Sequence, residues 1–217
     1  IQITFNPAPE NHGYKIKRVD LEGEPVIDAL AENVASTQRG TVLSKNGIQI
    51  STVEHAMAAL YAYEIDNCLI EVNAPEFPIL DGSSRFFNLM LYYIEVFRIV
   101  EQNAPKDFYI VKHKIEVKDE ETGSSLIILP DEKFSVNVLI SFDSPVLSNQ
   151  FATLNDLSEF PEEIAASRTF VFVREVEMLR QNNLIKGGDL DNAIVIYDKK
   201  MPQETLDKLA DEVGIPH

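Results

Sequence analysis

Tryptophan is absent from this chain, and cysteine occurs once, at Cys68. A single cysteine excludes an internal disulfide framework, so a reducing compartment is the default. Histidine is scarce too: His12, His55, His113 and His217 are all there are in 217 residues. An HExxH helix or a Cys/His cluster therefore has nothing to be built from. Basic charge is short, with 19 Lys+Arg against 35 Asp+Glu and a formal net charge of -16. That balance excludes a broad nucleic-acid or anionic-membrane surface, which needs a basic face. It leaves room for a local basic pocket around a phosphorylated small molecule. No apolar run reaches the roughly 20 residues of a membrane span. The longest, 86–100, follows Arg85 and is broken by Glu95 and Arg98. No P-loop, G-x-G-x-x-G or nucleophile elbow occurs, and no signal-peptide pattern is read, so the expected location is the cytoplasm.

What is there is an α+β pattern long enough for one large domain or two modest ones. Alternating stretches predict strands over 1–5 and 14–19, and Asn46-Gly47 between apolar runs predicts a tight hairpin over 42–50. A strand follows at 68–72. Asp81-Gly82-Ser83-Ser84 reads as a turn that also caps a helix from Arg85, with Asp81 as its turn and cap residue. Cys68, inside an apolar strand, reads as inert core. Polar 101–106, with Pro105, marks a boundary between residues 1–103 and 104–217. Beyond it, strands are expected over 108–111, 114–117, 125–129 and 135–142, then helices over 161–166, 174–182 and 202–213, with a strand over 193–197. His12 belongs to a turn and His113 to a solvated strand face. The Ile3-Thr4-Phe5-Asn6-Pro7 segment is echoed at Ile140-Ser141-Phe142-Asp143 before Pro145, which hints at a duplicated unit.

The chemistry concentrates at Ser51-Thr52-Val53-Glu54-His55. Ser51 stands at N-cap with Glu54 at the capping-box spacing, and Val53, Ala56, Met57, Leu60 and Tyr61 form one apolar stripe behind them. An adjacent carboxylate and imidazole in a first helical turn have two readings. In zinc hydrolases the imidazole holds the metal and the carboxylate takes a proton from water. In an ordinary helix the glutamate closes a capping box and the histidine faces solvent. Thr169, in Ser167-Arg168-Thr169-Phe170, is open to the same choice: a local backbone hydrogen bond or an oxyanion donor.

Taken together, several segments resemble the UDP-3-O-acyl-N-acetylglucosamine deacetylases, zinc-dependent amidases of lipid A biosynthesis. They are 50–55, Ile65-Asp66-Asn67, 73–83 from Asn73-Ala74-Pro75 to Asp81-Gly82-Ser83, Arg168-Thr169-Phe170, and 187–195 from Gly187-Gly188-Asp189 to Ile194-Val195. The resemblance implies two similar two-layer α/β sandwich domains with the active site between them. It implies Glu54 as general base, His55 as one zinc ligand and Thr169 as the hydroxyl that bonds the oxyanion. Phe170 with Leu184, Gly187, Gly188 and Asn192 would belong to a βαβ insert at about 170–197 that lines an acyl-chain passage. Phe142 would lie near the uracil, and 37–41 would form a second insert bordering the site. The implied substrate is a UDP-acyl-glucosamine, the cofactor Zn2+, and the reaction removal of the N-acetyl group.

Some family members are fused to a hydroxyacyl-carrier-protein dehydratase, which makes such a domain an expected partner. The family's remaining two ligands, in a His-x-x-x-Asp pattern, and its downstream histidine acid have no counterpart here. The expectation is a chain cut at both ends, inactive as it stands. The competing expectation is a non-catalytic module that binds a UDP-sugar or acyl group without a complete metal site.

Overall fold

The computed structural model describes residues 1–92, 100–181 and 191–213. Its first sheet is organised around β7 (Cys68–Val72), which runs antiparallel to β1 (Ile3–Pro7) and parallel to β2 (Tyr14–Arg18). The fourth strand, β3 (Val26–Asp28), pairs antiparallel with β2, giving the order β1-β7-β2-β3. Register follows from side-chain alternation: Phe5 and Ile16 both stand opposite Ile70, and all three are buried. A slip of one residue would turn this whole set outward.

A second, three-stranded sheet consists of β4 (Val34–Ser36), β5 (Val42–Lys45) and β6 (Ile48–Ile50). The expected hairpin forms, and both turn residues, Asn46 and Gly47, take positive φ (53° and 80°). That is what a two-residue turn of the I′ type requires. Helix α1 (Glu54–Ala62) follows within a few residues and packs beside α2 (Arg85–Tyr92). Ala56, Ala59, Leu60 and Phe87 join Ile16, Ile50, Ile70 and Phe77 in one continuous core. The expected stripe is rotated: Ala59 is buried, whereas Tyr61 is exposed and its ring meets Phe134 edge-on. Small alanines let α1 lie close to its neighbours, and the bulky tyrosine is left outside.

The other half is built from separate two-stranded ladders. β8 (Ile115–Lys118) pairs with β9 (Ser125–Ile128), and β10 (Val136–Ile140) with β11 (Gln150–Leu154), both antiparallel. The strand at 150–154 was not anticipated, and the expected strand at 108–111 does not form. Phe108, Tyr109 and Ile110 are instead exposed and unpaired with any strand. Their apolar character had suggested a strand, but backbone pairing needs a neighbour as well as a pattern. His113 is exposed, just ahead of β8.

A short helix, α3 (Phe160–Glu163), carries Phe160 into a small cluster with Leu154 and Ala165, against which Ala58 and Ala62 of α1 pack. β12 (Phe170–Phe172) runs straight into α4 (Val173–Gln181) and pairs in parallel with β13 (Ile194–Ile196). α5 (Gln203–Val213) sets Leu209 against Val171, Val176 and Leu179. The fold is thus α+β. No helix among the described residues is long and apolar enough to cross a membrane.

Candidate active site

Glu54 is the first residue of α1, and Ser51 does not cap the helix. Ser51 lies in a parallel β-bridge with Glu76: its N–H donates to the Pro75 carbonyl (3.0 Å), and Phe77 N–H donates to the Ser51 carbonyl (3.0 Å). The helix begins instead from Val53, with no side-chain cap. The expected capping box is absent because the backbone of Ser51 is committed to a neighbouring strand segment. Between them Thr52 holds φ at +59°, a costly conformation for a β-branched residue. That kink turns the chain from the bridge into the helix.

Freed from capping, the Glu54 carboxylate is held from another direction. Thr41 N–H donates to its Oε2 at 3.0 Å. A Cβ placed on Gly40 would stand 3.4 Å from its Oε1, so the glycine lets the loop backbone lie against the carboxylate. The adjacent His55 is half-buried, and its Nδ1 is buried without a hydrogen-bond partner among the described residues. Its carbonyl accepts a hydrogen bond from Ser84 Oγ (3.0 Å). Thus the loop before α2 is tied to the start of α1.

That same loop is where Thr169 arrives. Thr169 N–H donates to the Gly82 carbonyl (2.7 Å), and the Thr169 carbonyl accepts from Ile194 N–H (2.8 Å). Arg168 Nε donates to the Asp81 carbonyl (2.8 Å), and its Nη2 to the Asp191 carbonyl (2.5 Å). Gly82, at φ +79°, is packed so tightly that a Cβ there would lie 2.0 Å from the Asn192 carbonyl oxygen. Leu80 beside it also has positive φ (53°). Asp81 does hold the turn, its Oδ1 accepting from Ser83 N–H and Oγ (3.2 and 2.7 Å). The group that meets the first amide of α2 is the Ser83 hydroxyl, which accepts from Arg85 N–H (3.1 Å). Thr169 itself is exposed, while Asn192 is buried at the junction.

The predicted Phe142 and Phe170 come together, with ring centroids 5.3 Å apart in an edge-on arrangement. Phe172, which the sequence reading passed over, completes the trio at 6.1 Å from Phe142 and 6.0 Å from Phe170. Arg174 lies 4.4 Å above the Phe172 ring and forms an ion pair with the buried Asp198. Its Nη2 also donates to the Asp143 carbonyl (3.3 Å). Leu184, Gly187 and Gly188 lie outside the described residues, as does His217.

The donor chemistry of His55 suits one position of a zinc ligand set, and its unpartnered Nδ1 is the observation in favour. A catalytic zinc takes about three protein ligands. Among the described residues no group of three His, Cys, Asp or Glu side chains could hold a metal. His12 Nδ1 lies 2.9 Å from the carbonyl of its neighbour Gly13 in the turn.

The family model for LpxC, UDP-3-O-acyl N-acetylglycosamine deacetylase, matches residues 1–214. A protein of Bacteroides thetaiotaomicron named bifunctional enzyme LpxC/FabZ is 66% identical over 217 residues, which are 100% of this chain and 46% of that protein. One of the same name from Porphyromonas gingivalis is 63% identical over 99% of this chain and 46% of its own length. A UDP-3-O-acyl-N-acetylglucosamine deacetylase from Hahella chejuensis is 40% identical over 98% of this chain and 70% of its own length. The chain spans less than half the length of the two bifunctional relatives. With a match along almost its whole length, the chain belongs to the UDP-3-O-acyl N-acetylglycosamine deacetylase family.

Proposed function

We propose that this chain carries the base and one metal ligand of a zinc-dependent amidohydrolase that removes the N-acetyl group from a UDP-3-O-(3-hydroxyacyl)-N-acetylglucosamine. The observation that carries the reading is the start of α1. There a carboxylate steadied by one backbone amide stands next to an imidazole whose buried Nδ1 has no other partner among the described residues. Zinc, when bound, supplies Lewis acidity that acidifies water and polarises the amide carbonyl.

Glu54 takes the proton that water loses as its oxygen adds to the acetyl carbon. The C–N bond then breaks as the proton taken up by Glu54 passes to the sugar nitrogen, leaving acetate and the free sugar amine. Thr41 N–H keeps the carboxylate aimed while the proton moves, which is the pre-organisation a general base needs. Thr169 points its exposed hydroxyl from the Gly82 junction and donates to the developing oxyanion. One such donor contributes on the order of 10²–10³ in rate. Phe142 and Phe170 supply an apolar wall for the substrate, and Leu184, Gly187, Gly188 and Asn192 are the further residues assigned to binding it. Residues 1–103 and 104–217 form two structural units that face each other across the site. On this reading the activity is cytoplasmic; a second domain, which the family resemblance leads us to expect to be a hydroxyacyl-carrier-protein dehydratase, agrees with the bifunctional name of two relatives of which this chain covers 46%.

The test compares full-length protein with its Glu54→Ala and His55→Ala variants for bound zinc and acetate release. Both lose turnover, Glu54→Ala by about 10²–10⁴-fold, as for loss of a general base. Zinc is retained better in Glu54→Ala than in His55→Ala. Unchanged turnover in Glu54→Ala rules out the assigned base.

A further inference from the structure

The carboxylate of Glu54 is not held by its own helix. Both of its oxygens lie against the backbone of one loop, through Thr41 N–H at 3.0 Å and the bare face of Gly40. Residues 37–39 of this loop are exposed, and its Gln38 amide donates to the hydroxyl of Ser36 (3.3 Å). Something must fix it if Glu54 is to stay aimed. The anchor is on the far side of the chain. Arg39, at φ +58°, reaches out of the loop, and its Nη2 donates to Oε2 of Glu175 at 2.6 Å, 136 residues away. Glu175 lies in the first turn of α4, which continues from β12, the strand that follows Thr169. A path of contacts therefore runs from the Thr169 strand through Glu175 and Arg39 to the loop that touches Glu54.

We propose that Arg39 and Glu175 are positioning residues for Glu54: their ion pair pins the 37–41 loop so that Thr41 N–H and Gly40 hold the carboxylate in its working orientation. The proposal rests on the reading of Glu54 as the base. Both partners are partly exposed, at 37% and 25%. An ion pair in that setting adds little to stability. Its value lies in geometry, since small misplacements of a catalytic group cost rate steeply. Arg39 bonds Glu175 while the next two residues, Gly40 and Thr41, lie against the Glu54 carboxylate.

The experiment measures kcat and KM of the full-length zinc protein with Arg39→Ala, Glu175→Gln, the double variant, and the exchanged pair Arg39→Glu with Glu175→Arg. Melting temperature is followed in parallel, with Glu54→Ala as the control. Each single variant lowers kcat about tenfold with KM and melting temperature nearly unchanged. The double variant is no worse than either single, and the exchanged pair recovers most of the loss. In the Glu54→Ala background, Arg39→Ala changes the residual rate less than twofold. If Glu54→Ala keeps full activity, the reading of the base itself fails. If Glu54→Ala is inactive while both single variants keep wild-type kcat, or if their losses multiply in the double variant, the positioning role is overturned.

Discussion

β7 and β8 are written in the same code and meet opposite fates. Cys68-Leu69-Ile70-Glu71-Val72 and Ile115-Glu116-Val117-Lys118 both place an apolar residue at every second position, although Leu69 is apolar as well. In β7, Cys68, Ile70 and Val72 are buried, because strands pair on both sides and helices α1 and α2 complete the core. In β8 every residue is exposed, Val117 at 61%, and among the described residues it has one partner strand. Alternation thus specifies a strand with two unlike faces. Whether the apolar face is buried depends on a covering layer that the strand does not encode.

The largest expected effect tests that contrast directly. Ile70→Ala, at a fully buried site, should cost about 2–5 kcal/mol in denaturant unfolding. Val117→Ala should cost no more than about 0.5 kcal/mol. Equal losses would show that β8 is covered in solution. Next comes the junction of the two halves: Gly82→Ala forces a Cβ towards the Asn192 carbonyl at a positive φ and should cost about 1–3 kcal/mol, with a loss of turnover in the full-length protein. Gly123, also at positive φ but with no neighbouring atoms around its missing Cβ, should lose less on the same change.

A smaller effect is the response to alkali. Burial pushes the Cys68 thiol from 9.0 up to about 11, and burial, reinforced by Asp66, pushes the Tyr14 hydroxyl up as well. Both groups keep their protons in the folded chain after they would lose them unfolded. Stability from this source is therefore complete below pH 9 and falls as pH rises from about 9 to about 11. Denaturant midpoints across that range check it, and Cys68→Val should flatten the slope; an unchanged slope would assign it to Tyr14. The smallest effect is at the surface, where Lys45→Ala removes the partner that, through a 2.5 Å hydrogen bond, holds Asp28 below the usual carboxylate range. Thermal unfolding should register less than about 1 kcal/mol.

Much of the first half was legible in the sequence. The strand at 68–72 and the Asn46-Gly47 hairpin were readable because local rules, a short apolar run after a turn and turn chemistry, decide them. The family resemblance rested on segments that now meet in space: Asp81-Gly82 against Arg168-Thr169, and Asp191-Asn192 beside them. What failed was the role of Ser51. A cap and a β-bridge use the same residue types, and only the distant Pro75-Glu76-Phe77 segment decides between them. Phe172 and the Arg174–Asp198 pair were equally unreadable, since their partners are non-local. The Arg168-Thr169 signal, a basic and a hydroxyl residue ahead of an apolar run, did mark a real junction, though the contacts run to another loop and not locally.

The ladder from Gly82 to Thr169 to Ile194 has a consequence for how the molecule breathes. Two consecutive amides, those of Thr169 and Ile194, depend on one narrow seam between chain segments far apart in sequence. They cannot exchange with solvent independently: once the Gly82 carbonyl lets go, the strand that carries Thr169 is free to peel from β13 as well. In deuterium labelling the two amides should open with one shared rate, set by the seam and slower than the ladder of β8 and β9, whose residues are all exposed.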